Sequence, residues 1–286
     1  MLPSTLSIPI ERHYERESFK QLVVSGPPDS DSCIVAAIVH DAPNNKIVFC
    51  RIQDKCWTLL TGTAANAQYL DFKSIAIHGN KLYAVDWVEW KYLMIFNLEN
   101  ANAITGHRIY MFLSMPEDSI SEEDDTRRFG FEYAFDCIQS FLGIDPSRGD
   151  VFLVRQLVRA TKFRARPRIL FPCSTANKFW VFKLDLKGLR WIRVDDLDNR
   201  LLFLDNNGVK VLSPNHIFIT QSPPHLLHPN SLYFTHTYLH LDLQCTYEHH
   251  IGMFSLQHKT ISLFIQNSNP RLGFPPQSLW FMPTFG

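Results

Sequence analysis

The 286-residue chain is 45% hydrophobic and 13% aromatic, with 22 Phe, which is enough bulky apolar surface for a large core and excludes global disorder. Lys plus Arg and Asp plus Glu number 28 each, so no net field draws the protein toward nucleic acid or an anionic membrane. The six cysteines, Cys33, Cys50, Cys56, Cys137, Cys173 and Cys245, form no CxxC pair, which excludes the dense disulfide framework of a small secreted domain.

In chain order, residues 1–19 read as a short lead. They have no basic n-region and no sustained apolar run, so they do not form a signal peptide. No Asn-x-Ser/Thr acceptor follows, and no segment approaches the ~20 apolar residues of a membrane helix. The expectation is an intracellular protein of the cytoplasm or nucleus that does not engage a membrane.

From residue 20 onward, short β-rich runs follow one another: Cys33–Val39, Lys46–Arg51, Lys81–Val85, Tyr92–Leu98, Val151–Leu157, Phe179–Asp185, Leu201–Leu204 and Ser231–Thr235. Between them stand turn residues such as Asp41-Ala-Pro-Asn-Asn45, His78-Gly-Asn80, Asn206-Asn-Gly208 and Pro223-Pro224. Two segments break the pattern. Pro116–Arg128 carries six acidic residues and reads as an exposed loop, and the aromatic stretch Phe129–Phe141 returns the chain to the core. A basic stretch follows, with Arg155, Arg159, Lys162, Arg164, Arg166 and Arg168. It contains Phe163, and this mixture of cations and aromatics suits RNA or phosphopeptide. The favoured role is internal or solvated, with nucleic acid not expected as a partner.

Many short strands imply a sandwich, barrel or propeller. A small motif recurs four times, an apolar-Phe strand, a polar turn and a second strand opening on a large apolar residue, at Phe49 with Trp57, Phe96 with Ile104, Phe182 with Trp191, and Phe254 with Ile261. The Phe spacings are 47, 86 and 72 residues, near one or two multiples of a propeller blade in the first two cases. Trp57 and Trp191, at the repeated strand start, read as blade core rather than ligand platforms.

The order of several blocks resembles the KIB-type β-propeller domain found in many plant F-box proteins. The first half matches through Cys33-Ile-Val-Ala-Ala-Ile-Val39, Ile47-Val-Phe-Cys-Arg51, Cys56-Trp-Thr58 and Gly79-Asn-Lys-Leu-Tyr-Ala-Val-Asp86. The second half matches through Phe179–Asp185, Trp191–Val194, Asp198–Leu204, Pro229-Asn-Ser-Leu-Tyr-Phe234, Gly252-Met-Phe254 and Leu279-Trp-Phe-Met-Pro283, of which the Pro229–Phe234 block is the most specific. The resemblance covers roughly residues 20 to 283 and implies an all-β fold, a β-propeller of kelch-like antiparallel blades, six or seven in number, as a single domain over 20–286. It also implies a protein-interaction module related to ubiquitin-ligase substrate receptors. The lead 1–19 holds no room for the three-helix F-box, so direct binding to the ligase adaptor is not expected. The Asp198-Asn-Arg200 turn carries no role that the resemblance transfers.

No G-x-S-x-G, GxGxxG or P-loop occurs in a chain with only 12 Gly, so the expectation is a non-enzymatic module with no catalytic residue and no cofactor. Seven histidines, His225, His228, His236, His240, His249, His250 and His258, crowd the C-terminal third, and Cys245-x3-His249 has ligand-like spacing. His236 and His240 lie too far apart along one strand to share an ion, so no metal is expected. Asp195-Asp196 and Asp124-Asp125 read as solvated turns rather than paired acid and base. The alternative is a propeller enzyme acting on carbohydrate or a small ligand at the central channel.

The acidic Glu117–Asp125 segment has almost no apolar area to bury. Its deletion is expected to leave the thermal midpoint within a few degrees of wild type, as read by differential scanning calorimetry, and a collapse of folding would contradict the loop assignment.

Overall fold

The computed structural model describes residues 19–27, 29–41, 44–54, 56–60, 71–86, 92–99, 106–110, 133–165, 168–205, 208–213, 227–240 and 246–269, with the backbone alone described at 40, 41, 44, 86, 92, 106–110, 133–138, 158–165, 168–177, 236–240, 246–250 and 265–269. The acidic segment 116–128, the Pro223-Pro224 turn and the closing block 279–283 lie outside them. Every regular element among the described residues is a strand. Contacts divide the chain into two compact units: Met1–Leu113 with Phe141–Leu153 and Lys183–Ile192, and Ser114–Ser140 with Val154–Phe182 and Arg193–Gly286.

The first unit holds two four-stranded sheets. One runs in the order β1 (Phe19–Val24), β2 (Ile34–Asp41), β3 (Asn44–Arg51) and β4 (Thr58–Leu59), and the other in the order β5 (Phe72–His78), β6 (Lys81–Asp86), β7 (Tyr92–Asn97) and β8 (Gly106–Tyr110). All pairings in both are antiparallel. The sequence explains the hairpins: His78-Gly79-Asn80 closes β5 on β6 with Gly79 left-handed at φ 54°, a conformation that costs glycine nothing. Ile34–Val39 of β2 and Ile47–Cys50 of β3 are apolar at every position because both faces are buried. Ile34, Ala36, Ile38 and Phe49 join a core with Phe72 and Phe96, while Val35, Ala37, Cys50 and Trp57 form a second cluster on the other face.

Side-chain amides complete this packing. β5 is the terminal strand of its sheet, and such an edge leaves backbone N–H and C=O groups without ladder partners. Gln21 meets both groups of one residue: its Nε2 donates to the Ile75 carbonyl at 3.0 Å, and its Oε1 accepts the Ile75 N–H at 2.8 Å. Asn45 Nδ2 likewise donates to the Phe72 carbonyl at 3.1 Å, and Ser74 Oγ accepts the Leu142 N–H at 2.9 Å. Each of these polar side chains is buried, so the hydrogen bonds offset a desolvation that would otherwise cost stability.

The remaining strands form a nine-stranded sheet in the order β12 (Arg190–Arg193), β11 (Arg168–Asp185), β10 (Val151–Ala165), β9 (Tyr133–Ile144), β14 (Gly208–Leu212), β13 (Leu201–Asp205), β15 (Ser231–His240), β16 (Thr246–Ser255) and β17 (Thr260–Asn269). It corrects one sequence expectation. Tyr133–Phe141 of the aromatic stretch, and Arg155–Ala165 and Arg168 of the basic stretch, belong to strands β9, β10 and β11, whose cations and aromatics hid the β pattern. One pairing departs from antiparallel: β13 runs parallel to β15, from Leu201 opposite Ser231 to Leu204 opposite Phe234. A parallel pair needs a long crossover, and the chain between these strands, which forms β14 first, supplies it.

The recurring Phe motif holds at the level of strands and is corrected at the level of register. Phe49, Phe96, Phe182 and Phe254 are all buried, on β3, β7, β11 and β16. A common hydrogen bond aligns three of the copies: the first residue past the strand donates to the carbonyl just before the partner strand, Ile52 to Cys33, Leu98 to Asn80 and Leu256 to Asn230. By this alignment Phe96, opposite Leu82, and Phe254, opposite Leu232, are equivalent. Cys50, opposite Val35, holds that place in the first sheet, so Phe49 lies one residue back and faces the other side. The β11–β12 turn closes on left-handed Leu189 as the β16–β17 turn closes on left-handed Lys259, making Leu184 the counterpart of Phe254 and leaving Phe182 two residues back on the same face.

Gln21→Leu removes both bonds to Ile75 while keeping bulk. It is expected to lower unfolding free energy by about 2–4 kcal/mol in urea titration, since a buried donor and acceptor are left unmet. A change below about 0.5 kcal/mol, the range of ordinary surface substitutions, would show that the amide does not hold the edge.

Candidate functional site

In the second unit, the turn from β12 into β13 is fixed from a distance by one side chain. Asn230, in the left-handed region at φ 59°, accepts the N–H groups of Leu197 and Asn199 on its Oδ1, both at 3.0 Å. Its own N–H donates to the Arg200 carbonyl and its carbonyl accepts the Leu256 N–H. One residue thereby ties the entrance of β13, the start of β15 and the β16–β17 turn together. Asp198 and Asn199 are left-handed as well, at φ 53° and 62°, and Asp and Asn are the non-glycine residues that tolerate this region best.

The same turn gives Asp198-Asn-Arg200, to which the resemblance transfers no role, a structural part. Arg200 is 1% exposed, and its Nη1 donates to the Leu197 carbonyl at 3.2 Å and to Asp198 Oδ2 at 3.3 Å. A buried guanidinium is costly unless hydrogen-bonded, so the geometry of the turn and the placement of Arg200 depend on each other. Nothing in the sequence flagged this beyond an Asn-Arg pair near a strand start.

The other sequence candidates are placed as follows. Asp195 and Asp196 are exposed; Asp195 pairs with Lys259 and, at 3.8 Å, with Arg193, while Asp196 accepts the Asp198 N–H. The structure does not present them as an acid–base pair. Asp124 and Asp125 lie outside the described residues. Trp57 and Trp191 are buried, which agrees with blade core. Arg155 is buried, and the loss of solvation pulls its guanidinium down to about 10; the side chains of Arg159, Lys162, Arg164 and Arg168 are not among those described, and Arg166 lies outside the described residues.

The described cysteines, Cys33, Cys50 and Cys56, are free thiols. Cys33 and Cys50 are buried, and burial first, then Asp54 and the neighbouring thiols, push Cys50 up to about 11, which keeps it protonated and unreactive near neutral pH. Cys56 is exposed. Asp185 is held below the usual carboxylate range, chiefly by the Gly188 N–H and then that of Lys187, an effect that stabilises the β11–β12 turn. Among the residues whose side chains are described, no three His, Cys, Asp or Glu groups converge as a metal site, and no helix is long and apolar enough to cross a membrane.

Exposed apolar surface is where the described residues are conspicuous. The large hydrophobic side chains left in solvent are Phe19, Leu22 and Val24 on β1, Leu186, Leu189 and Ile192 on the β11–β12 hairpin, and Leu263 and Phe264 on β17. β1, β12 and β17 are terminal strands of their sheets. On β1 a bulge between Phe19 and Gln21 brings Phe19, Leu22 and Val24 opposite Val39, Ala37 and Val35, so all three share one face.

Sheets of buried apolar strands, antiparallel in the described pairings apart from β13 with β15, and the absence of any helix among the described residues define an all-β protein. The chain belongs to the KIB1-4 beta-propeller family, whose model matches residues 1–255. No curated protein matches it.

Asn230→Ala removes the acceptor for two backbone N–H groups and puts alanine, which tolerates the left-handed region less well than asparagine, at φ 59°. It is expected to destabilise by about 2–4 kcal/mol, with Asn230→Gly less affected because only the hydrogen bonds are lost. Equal midpoints for Ala, Gly and wild type in guanidinium titration would show that the tie is not needed.

Proposed function

We propose that the protein is a non-enzymatic interaction module that holds a partner polypeptide on its exposed sheet edges and turns. The observation that carries this reading is the confinement of exposed large apolar side chains, among the described residues, to terminal strands and one hairpin. Natural sheets ordinarily blunt their edges with charge or cover, and β5 here is covered by Gln21 and Asn45. Edges that instead carry Phe, Leu, Ile and Val suit an extended segment that adds main-chain hydrogen bonds and buries alternate side chains. The family relation supports a finer version, in which the module recognises substrates for ubiquitination inside the cell.

The β11–β12 hairpin gives the most direct test. The triple variant Leu186→Ser, Leu189→Ser, Ile192→Ser is expected to keep the wild-type thermal midpoint, because these side chains bury little, while losing partners that wild type retains in quantitative affinity capture. The purified chain is expected to show no turnover on esterase, phosphatase or glycosidase substrates and no direct binding to the ligase adaptor beside an F-box-containing relative as positive control. Reproducible turnover would favour the channel enzyme instead, and unchanged capture by the triple variant would remove the hairpin from the interface.

A further inference from the structure

The strand that ends the nine-stranded sheet differs from the other terminal strands. β1 carries Lys20, β8 carries Arg108, β12 carries Arg190 and Arg193, and β4 is only two residues long. β5 carries Lys73 and has its backbone met by Gln21. β17 runs for ten residues, Thr-Ile-Ser-Leu-Phe-Ile-Gln-Asn-Ser-Asn, without a charge or a proline. Charge, proline and shortness are devices that keep a sheet edge from pairing, and among the terminal strands of the described residues β17 alone has none of the three.

Its edge is instead apolar on both faces. Tyr233 and Phe234 are neighbours on β15 and point to opposite faces. The Phe264 ring stacks 6.1 Å from that of Tyr233, while Leu263 Cδ2 comes within 3.1 Å of where a Cβ on Gly252 would stand, beside the ring of Phe234. Leu263 and Phe264 therefore cover opposite faces at one point of the edge, and both are exposed. A bulge puts them there: Gly252 lies opposite Leu263 and Ile251 opposite Ile265, which makes Phe264 the extra residue of β17.

We infer that β17 pairs antiparallel with β17 of a second copy of this chain, about a two-fold axis near Leu263 and Phe264. This rests on the reading of exposed edges as interaction surface and assigns one of those edges its occupant. Charge selects the occupant. A two-fold axis sets a strand against itself in reverse, and like charges brought opposite each other are destabilising. β12 paired in full register would place Arg190 against Arg193 of the other copy, whereas β17 meets itself without repulsion. A charged partner strand, conversely, would give up solvation along these ten residues with no counter-charge to meet. Self-pairing satisfies the main-chain groups of the edge and lets Leu263 and Phe264 of the two copies cover one another on both faces.

The test is analytical ultracentrifugation of the 286-residue chain in a dilution series through the micromolar range. The expected result is a reversible monomer–dimer equilibrium. Leu263→Lys and Phe264→Lys are each expected to raise the dissociation constant by at least about tenfold while keeping the wild-type thermal midpoint, and the triple serine variant of the β11–β12 hairpin is expected to dimerise as wild type does. A monomer at every concentration overturns the inference, as does a dimer indifferent to both lysines. A monomer that still captures partners through the hairpin overturns the pairing and leaves the proposed function standing. Should the lysine variants fold poorly, hydrogen exchange on wild type gives an independent reading: the amides of β17 gain protection as concentration rises through dimerisation, and those of β1 do not. Protection of β17 in the monomer, independent of concentration, means that the edge is covered within the chain, and protection gained only with a captured partner means that another polypeptide occupies it; either overturns the inference.

Discussion

The second unit depends on Asn230 more than on any single apolar contact. Hydrophobic burial draws Leu201, Phe203 and Tyr233 into one cluster, but burial is non-directional and does not decide that β13 should run parallel to β15. The decision is made where Asn230 uses its N–H and amide oxygen on the turn from Leu197 to Arg200 and its carbonyl on Leu256, two separate stretches of chain. With those bonds in place the turn before β13 and the start of β15 have one relative position, and the aromatic contacts, such as Phe203 on Tyr233 at 5.2 Å and Phe179 on Phe234 at 4.9 Å, close around it.

The first unit meets the same problem differently. Its core strands are apolar on both faces, which supplies adhesion but little alignment. Alignment comes from amides: Gln21 on Ile75 and Asn45 on Phe72 each fasten one strand to the backbone of another sheet, and Arg51 Nη2 reaches the Leu98 carbonyl at 2.6 Å. Both units thus combine non-specific apolar burial with a few side-chain-to-backbone bonds that select one arrangement. Such bonds contribute modestly to net stability and heavily to uniqueness.

Much of the fold was legible in the sequence because strands with clear turn residues announce themselves. Lys81–Val85, Tyr92–Leu98 and Leu201–Leu204 fall on β6, β7 and β13 almost unchanged. β9 and the long β10 and β11 were not read as strands through the Phe129–Phe141 and Arg155–Arg168 stretches, where bulky and charged side chains obscure period two. The Phe repeat misaligned for a related reason: Val48, Phe49 and Cys50 are all fully buried, and a strand with no polar face offers no marker of which residue faces which way. The candidate site was the least legible. The Pro229–Phe234 block stood out, yet the reason for it, an amide oxygen shared by two distant N–H groups, involves residues about thirty positions away and leaves no local pattern.

The bulge in β1 bears on how such a surface changes over time. Phe19 and Leu22 are three residues apart, an odd spacing that would put them on opposite faces of a regular strand, and only the extra residue between them turns both toward the Val35 face. The apolar stripe is therefore a property of chain length as much as of side-chain identity. A lineage that lost or gained one residue there would rotate Phe19 across the sheet without substituting it, dismantling or assembling the stripe in a single step, whereas point substitution would have to act on each position in turn.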